Sequence, residues 1–264
     1  MEQLISSTQN PRIKRLLTLQ QKSSERRQSG LFVVEGRREL LNCIAAGYEV
    51  ESVFCKTTET DPPDVEGVVK GCECFLVSPS VYERIAYRGS TEGVVAIVRA
   101  RSRRLDELLL SENPLLVVLE SVEKPGNLGA VLRSADAAAA DAVIVCDPLT
   151  DLYNPNLIRA SIGACFTVPT VACTSEECIA FLNGHHIQIL TAQLQDSKLY
   201  DAADMTGPTA IVMGTESTGL TDVWRLAADA HIRIPMLGRL DSLNVSVSAA
   251  ILLFEAVRQR KEAN

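Results

Sequence analysis

The residues of this chain best suited to chemistry by type and spacing lie in 124-KPGNLGAVLR-133, where Gly126 and Gly129 flank Asn127 and Arg133 follows Asn127 by six positions. Glycines let a backbone turn tightly and approach a ligand, and N–H groups at a helix start attract anions. A phosphate cradle is therefore one reading. The two common nucleotide loops do not match, because G-x-G-x-x-G lacks one glycine here and G-x-x-x-x-G-K-[ST] fails throughout. The bland reading is a strand-to-helix turn, with glycine for its dihedrals and asparagine as a cap. Taken alone, the segment leaves both open.

Two later loops shift the balance. TAIVMGTESTGL (209–220) places Gly214, Glu216 and Gly219 just past an apolar strand, and IPMLGRLDSLNVSVSAAILLFEAVRQR (234–260) carries Ser242, Leu243 and Asn244 ahead of a helix. In open α/β sheets such loops meet at the carboxyl edge, where ligands bind. Metal chemistry has weaker support. The eight cysteines sit mostly in apolar runs such as AVIVCD and GACFTV, Cys72 and Cys74 form a C-x-C without a second pair, and the three histidines lack ligand spacing. No metal and no disulfide framework are expected.

The elements that must position these loops can be read from periodicity. Asn10-Pro11 starts a helix through RIKRLLTLQQ; GLFVVEG (30–36), VESVFC (50–55), ECFLV (73–77) and GVVAIV (93–98) are strands, with helices over 38–47 and near 78–87. This is a small α/β domain. RARSRRLDELLLSENP (99–114) is charged and polar, so domains are expected at 1–105 and 106–264. The second opens with LLVVLE (115–120), followed by a helix, AVIVC (142–146), a helix over 155–163, strands at 187–191, 209–213 and 231–235, and a final helix over 244–261. Alternating strands and helices imply a mostly parallel sheet covered on both faces.

Charge is uneven. The net charge is −7, yet residues 1–105 hold 16 Lys/Arg against 13 Asp/Glu, while 106–264 hold 10 against 20. Basic residues gather early, among them Arg12, Lys14, Arg15, Arg26, Arg37 and Arg38, and form a candidate phosphate-contacting surface. A solvated helix face is the competing reading. No apolar run of membrane-spanning length and no signal peptide is evident, so a cytoplasmic protein is expected.

PGNLGAVLRSADA, IVMGTESTGL and IPMLGRLDSLNVSVSAAILLFEA resemble, in order and spacing, the three signature motifs of the SpoU (TrmH-like) RNA 2′-O-ribose methyltransferases of the SPOUT class. NPNLIRASIGACFTVP (154–169) resembles the stretch that these enzymes carry between the first two motifs, and ISSTQNPRIKRLL with GLFVVEGRREL resembles an L30e-like substrate-binding domain. The resemblance implies a C-terminal trefoil knot, a homodimer joined through the C-terminal domain, S-adenosylmethionine as cofactor and RNA, ribosomal above all, as substrate. It matches Asn127, Arg133, Glu216, Ser242 and Asn244 to catalytic positions, and Gly214, Ile234, Met236 and Leu243 to backbone contacts with the cofactor. It leaves Arg12, Lys14, Arg15, Arg37 and Arg38 to bind RNA. Lys124 departs from the Asn or Asp that many members carry there.

Methyl transfer from a sulfonium to a hydroxyl is an in-line displacement, so alignment supplies much of the catalysis. A guanidinium is always protonated and makes a poor free base. Either an RNA phosphate helps to take the hydroxyl proton, or Arg133 stabilises the developing alkoxide while another group accepts it; electrostatic stabilisation with phosphate positioning is favoured. Two other functions compete. An L30e-like RNA-binding protein without catalysis would have lost Asn127, Arg133, Glu216 or Asn244, and all are present. A nucleotide-dependent oxidoreductase is disfavoured by the missing glycine, and tRNA stands as an alternative substrate.

Overall fold

The computed structural model describes residues 4–57, 71–86, 92–215 and 217–263. Two units emerge, Met1–Arg101 with Asp151–Thr167, and Ser102–Thr150 with Val168–Asn264. The first contains β1 (Leu4–Ile5), α1 (Pro11–Gln21), α2 (Ser23–Ser29), β2 (Leu31–Glu35), α3 (Arg37–Ala45), β3 (Val50–Lys56), β4 (Glu73–Val77), α4 (Pro79–Ile85) and β5 (Val94–Arg99). Its sheet runs β1-β4-β3-β5-β2, antiparallel at β2–β5 and β3–β5 and parallel elsewhere. Helix α1 begins as its sequence suggests: Asn10 caps it by accepting from the Arg12 N–H, with Pro11 in the first turn. Ile13, Leu16 and Leu19 then fall on one face and are fully buried.

The second unit begins with β6 (Leu115–Glu120), α5 (Pro125–Ala137) and β7 (Ala142–Cys146). The chain next contributes α6 (Pro155–Ser161) and α7 (Ala164–Thr167) to the first unit, where Tyr153 stacks on Phe32 with ring centroids 4.3 Å apart. One helix was expected over 155–163; Ile162 and Gly163 take positive φ and break the run into two. The second unit resumes with β8 (Thr170–Cys173), α8 (Ser175–Gly184), β9 (Gln188–Ala192), β10 (Lys198–Leu199), β11 (Thr209–Met213), α9 (Asp222–Ala227), β12 (Ala230–Arg233) and α10 (Val245–Ala263).

Its seven strands run in the order β10-β12-β9-β11-β6-β7-β8, and every pairing is parallel. Parallel strands buried on both faces explain why LLVVLE and TAIVM are unbroken apolar runs. Leu116, Val118, Ile144 and Val212 join Cys178 and Leu182 of α8 and Trp224 of α9 in one core. The alternate residues face the other side, where α5 and α10 pack on each other and against β7 and β11. The far end of α10 is pinned by Arg260, which donates to the carbonyls of Asn113, Pro114, Met205 and Gly207 at 2.7 to 3.0 Å. Burial holds this guanidinium below its ordinary pKa.

Candidate active site

The chain leaves β6 toward β7 and β8, then crosses to the other side, and β11 inserts between β6 and β9. The carboxyl ends of β6, β11, β9 and β12 therefore stand side by side. This is the switch point at which doubly wound sheets form a crevice.

After β6, Pro125 opens α5 and puts Asn127 in its first turn, with Arg133 on an exposed stretch of the same helix. No hydrogen bond or ion pair ties the Arg133 guanidinium to a described residue, which leaves its charge available to an anion. After β12 the chain turns through 234–244, and Asn244 ends that loop: its carbonyl accepts from Val247 and Ser248, and its side-chain oxygen accepts from the Ser246 N–H and hydroxyl. That capping role aims the Asn244 amide at the Asn127 side-chain oxygen, 3.2 Å away. The first and third motifs meet in this bond.

Of the other matched residues, Ser242 does not join the pair, and its hydroxyl donates to neighbouring Asp241 at 3.2 Å. Glu216 lies outside the described residues. The loop around it is closed by a Thr215–Gly219 bridge, and a Cβ on Gly214 would overlap the backbone of Gly219 and Leu220. Only glycine fits there.

Two hollows adjoin at Gly214, Thr215 and Val245. The smaller is lined by Glu120, Lys124, Asn127 and Ser217. The larger, a cleft of about 300 Å³, is bordered by Gly214, Ile234, Met236, Ser242 and Leu243, so all four residues expected to hold a cofactor line it. S-adenosylmethionine fits this donor set. Gln193 and Arg225 line the same cleft, and the Gln193 Oε1 acceptor and the Arg225 Nε donor are both buried without a partner among the described residues. Buried polar atoms are rarely left so, and a ligand bearing an ammonium, a carboxylate and hydroxyls can satisfy both.

Three residues that line or brace these hollows were not among the sequence candidates. Gln193 and Arg225 lie outside the motifs, and nothing in their type marks them. Glu120, the last residue of β6, is only 4% exposed and accepts from the Thr221 N–H at 2.9 Å and the Thr221 hydroxyl at 2.6 Å. A carboxylate closing an otherwise apolar strand was the available signal.

Of the basic residues expected to meet RNA, Lys14 and Arg37 have exposed side chains without a described partner. Arg15 pairs with Glu51 at 2.7 Å, Arg38 with Glu39 at 2.9 Å, and Arg12 lies over the Phe75 ring. Arg26, counted with them by charge, is buried and bonded to Asp151 at 2.5 Å, so it is not part of that surface.

A parallel sheet with loops converging on paired hollows at its carboxyl edge defines a ligand-binding α/β domain. Residues 114–254 match the model of the SpoU rRNA methylase family, and residues 10–96 match that of the MRM3-like substrate-binding domain. The chain belongs to the SpoU rRNA methylase family. It is 42% identical over 175 residues to a 23S rRNA (guanosine-2′-O-)-methyltransferase of Ralstonia nicotianae, covering 64% of this chain and 70% of that one. A solved structure of an RNA 2′-O ribose methyltransferase superposes with a TM-score of 0.84 at 40% identity, over 98% of this chain and 99% of the other. The SpoU methyltransferase AviRb of Streptomyces viridochromogenes, solved with the cofactor AdoMet, gives 0.88 at 28% identity, over 96% of this chain and 100% of the other.

Proposed function

We propose that this chain transfers a methyl group from S-adenosylmethionine to a ribose 2′-hydroxyl of 23S rRNA. The observation that carries the reading is the Asn244–Asn127 hydrogen bond, which joins the loop bordering the cofactor cleft to the helix bearing Arg133. S-adenosylmethionine supplies an electrophilic methyl on a sulfonium. Ile234, Met236, Leu243 and Gly214 would hold it through the backbone, with Gln193 and Arg225 meeting its polar groups. Arg133, exposed and uncommitted, would grip the RNA phosphate and stabilise the oxygen as it loses its proton. Asn127 and Asn244 would fix the first turn of α5, so that alignment rather than covalent chemistry lowers the barrier. Glu216 and Ser242, matched by motif, would orient the ribose and Arg133.

Residues 1–105 would be the RNA-binding domain and 106–264 the catalytic domain; the two matched stretches fall on either side of that boundary. Arg12, Lys14, Arg15, Arg37 and Arg38 would contact the RNA backbone. Val247 and Phe254 of α10 stay 46% and 49% exposed, and Leu237 just before it 97%, which supports a homodimer through this region. A C-terminal trefoil knot is the thread proposed for the region that follows β11. No described helix is long and apolar enough to cross a membrane, and a cytoplasmic site of action is proposed. Mapping 2′-O-methyl groups in 23S rRNA from cells with and without this gene tests the reading. One site should disappear, and an unchanged map would overturn it.

A further inference from the structure

Three cysteines far apart in sequence meet in the second unit. Cys146 ends β7, Cys173 ends β8 as its direct register partner, and Cys178 lies one turn into α8. Their sulfur atoms all fall within 4.8 Å of one another. We propose that Cys146, Cys173 and Cys178 form a three-sulfur binding site for a soft, thiophilic d10 cation, with monovalent copper the best match.

The geometry supports this class of ion. A metal bonded to three sulfurs at about 2.3 Å holds them roughly 4 Å apart, which small rotamer adjustments reach from the present arrangement. Thiolate ligands select Cu(I) and zinc among common metals, and zinc asks for a fourth ligand. No other His, Cys, Asp or Glu among the described residues joins the group. Of the carboxylates close by, that of Asp147 is engaged by the Ser175 hydroxyl at 2.7 Å and the Ser175 N–H at 3.1 Å, and that of Glu177 accepts from the Thr174 N–H at 2.8 Å. Three-coordination favours Cu(I) over zinc.

Entry is also provided for. Cys146 and Cys178 are buried, whereas Cys173 is partly exposed and offers a path from solvent. Each thiol gives up a proton to solvent as its metal–sulfur bond forms.

The test is an anaerobic titration of the reduced full chain with Cu(I) against a competing colorimetric Cu(I) chelator. The Cys72–Cys74 pair, with sulfurs 3.9 Å apart, is the rival site and is removed in a Cys72→Ser/Cys74→Ser variant. One equivalent should bind in that variant, with thiolate-to-copper absorption in the near ultraviolet and three sulfur neighbours in X-ray absorption. Cys173→Ser, at the partly exposed position, and Cys178→Ala should each bind at least about 100-fold more weakly while melting cooperatively. Uptake that vanishes with Cys72 and Cys74, or that persists in Cys173→Ser, would overturn the proposal. So would a two-mass-unit loss from the untreated chain that blocks uptake, since it would assign the cluster to disulfide chemistry.

Discussion

The side chain of Asn244 donates a hydrogen bond to the side chain of Asn127 across 3.2 Å, although the two lie 117 positions apart in the chain. The same Asn244 caps α10 through its oxygen, so one residue fixes a helix start and reaches a second motif. Asn244→Ala should cost about 1 kcal/mol of stability through the lost cap. It should also lower kcat more than it raises the KM for RNA. Calorimetric unfolding and steady-state methylation check both, and a kcat equal to that of the unaltered enzyme would confine Asn244 to capping.

Glu120 fastens the start of α9, and with it the end of the 214–221 loop, to β6. Glu120→Ala would remove the acceptor of both Thr221 donors, which are exposed enough for water to take over, at a cost of about 0.5–1.5 kcal/mol. Glu120→Gln keeps an acceptor for one of them and should lose less. S-adenosylmethionine affinity should fall in the same order, alanine below glutamine below wild type, when measured by calorimetry. Equal affinities in all three would remove Glu120 from the support of the loop.

Gln193 offers the opposite signs for stability and binding. Its orphaned Oε1 is a burden on the free protein, and Gln193→Leu removes it together with the exposed bond from Nε2 to the Gln195 carbonyl, so the variant should melt close to wild type or higher. If that oxygen meets the cofactor, S-adenosylmethionine should bind about 10-fold more weakly, the equivalent of about 1.4 kcal/mol. Undiminished binding would show that the oxygen faces something else.

Arg260 holds four loop carbonyls to the end of α10. Arg260→Ala should destabilise the catalytic domain by about 2–4 kcal/mol, because hydrogen bonds from a charged donor are lost and the partly buried carbonyls stay behind. Denaturant unfolding reads the change. Below its midpoint the variant should still bind S-adenosylmethionine, as the residue is remote from both hollows.

How much of this was legible in the sequence varies from element to element. LLVVLE, TAIVM and the apolar run ahead of Arg260 identify β6, β11 and α10, because strands and helices buried on several sides leave continuous apolar signals. Helix α8 is missing from the sequence reading although Thr174 and Glu177 spell its capping box, which the structure forms in full. The three loops could be ranked as a site, but the Asn127–Asn244 contact depends on β11 lying beside β6, a fact of strand order that no local pattern encodes. The same holds for Cys146, Cys173 and Cys178, each read singly as a small hydrophobe. Arg26 shows the reverse failure: counted as surface charge, it is buried against Asp151, because burial cannot be read from residue type alone.

Arg133 is expected to act on the ribose and not on the cofactor. The most direct measurement is methyl transfer from labelled S-adenosylmethionine to 23S rRNA by Arg133→Ala, with cofactor affinity determined on the same preparation. Label from the unaltered enzyme should appear in an alkali-resistant dinucleotide, the mark of a 2′-O-methyl group. The variant should incorporate none and bind the cofactor within a few-fold of wild type. Full incorporation by Arg133→Ala would contradict the account.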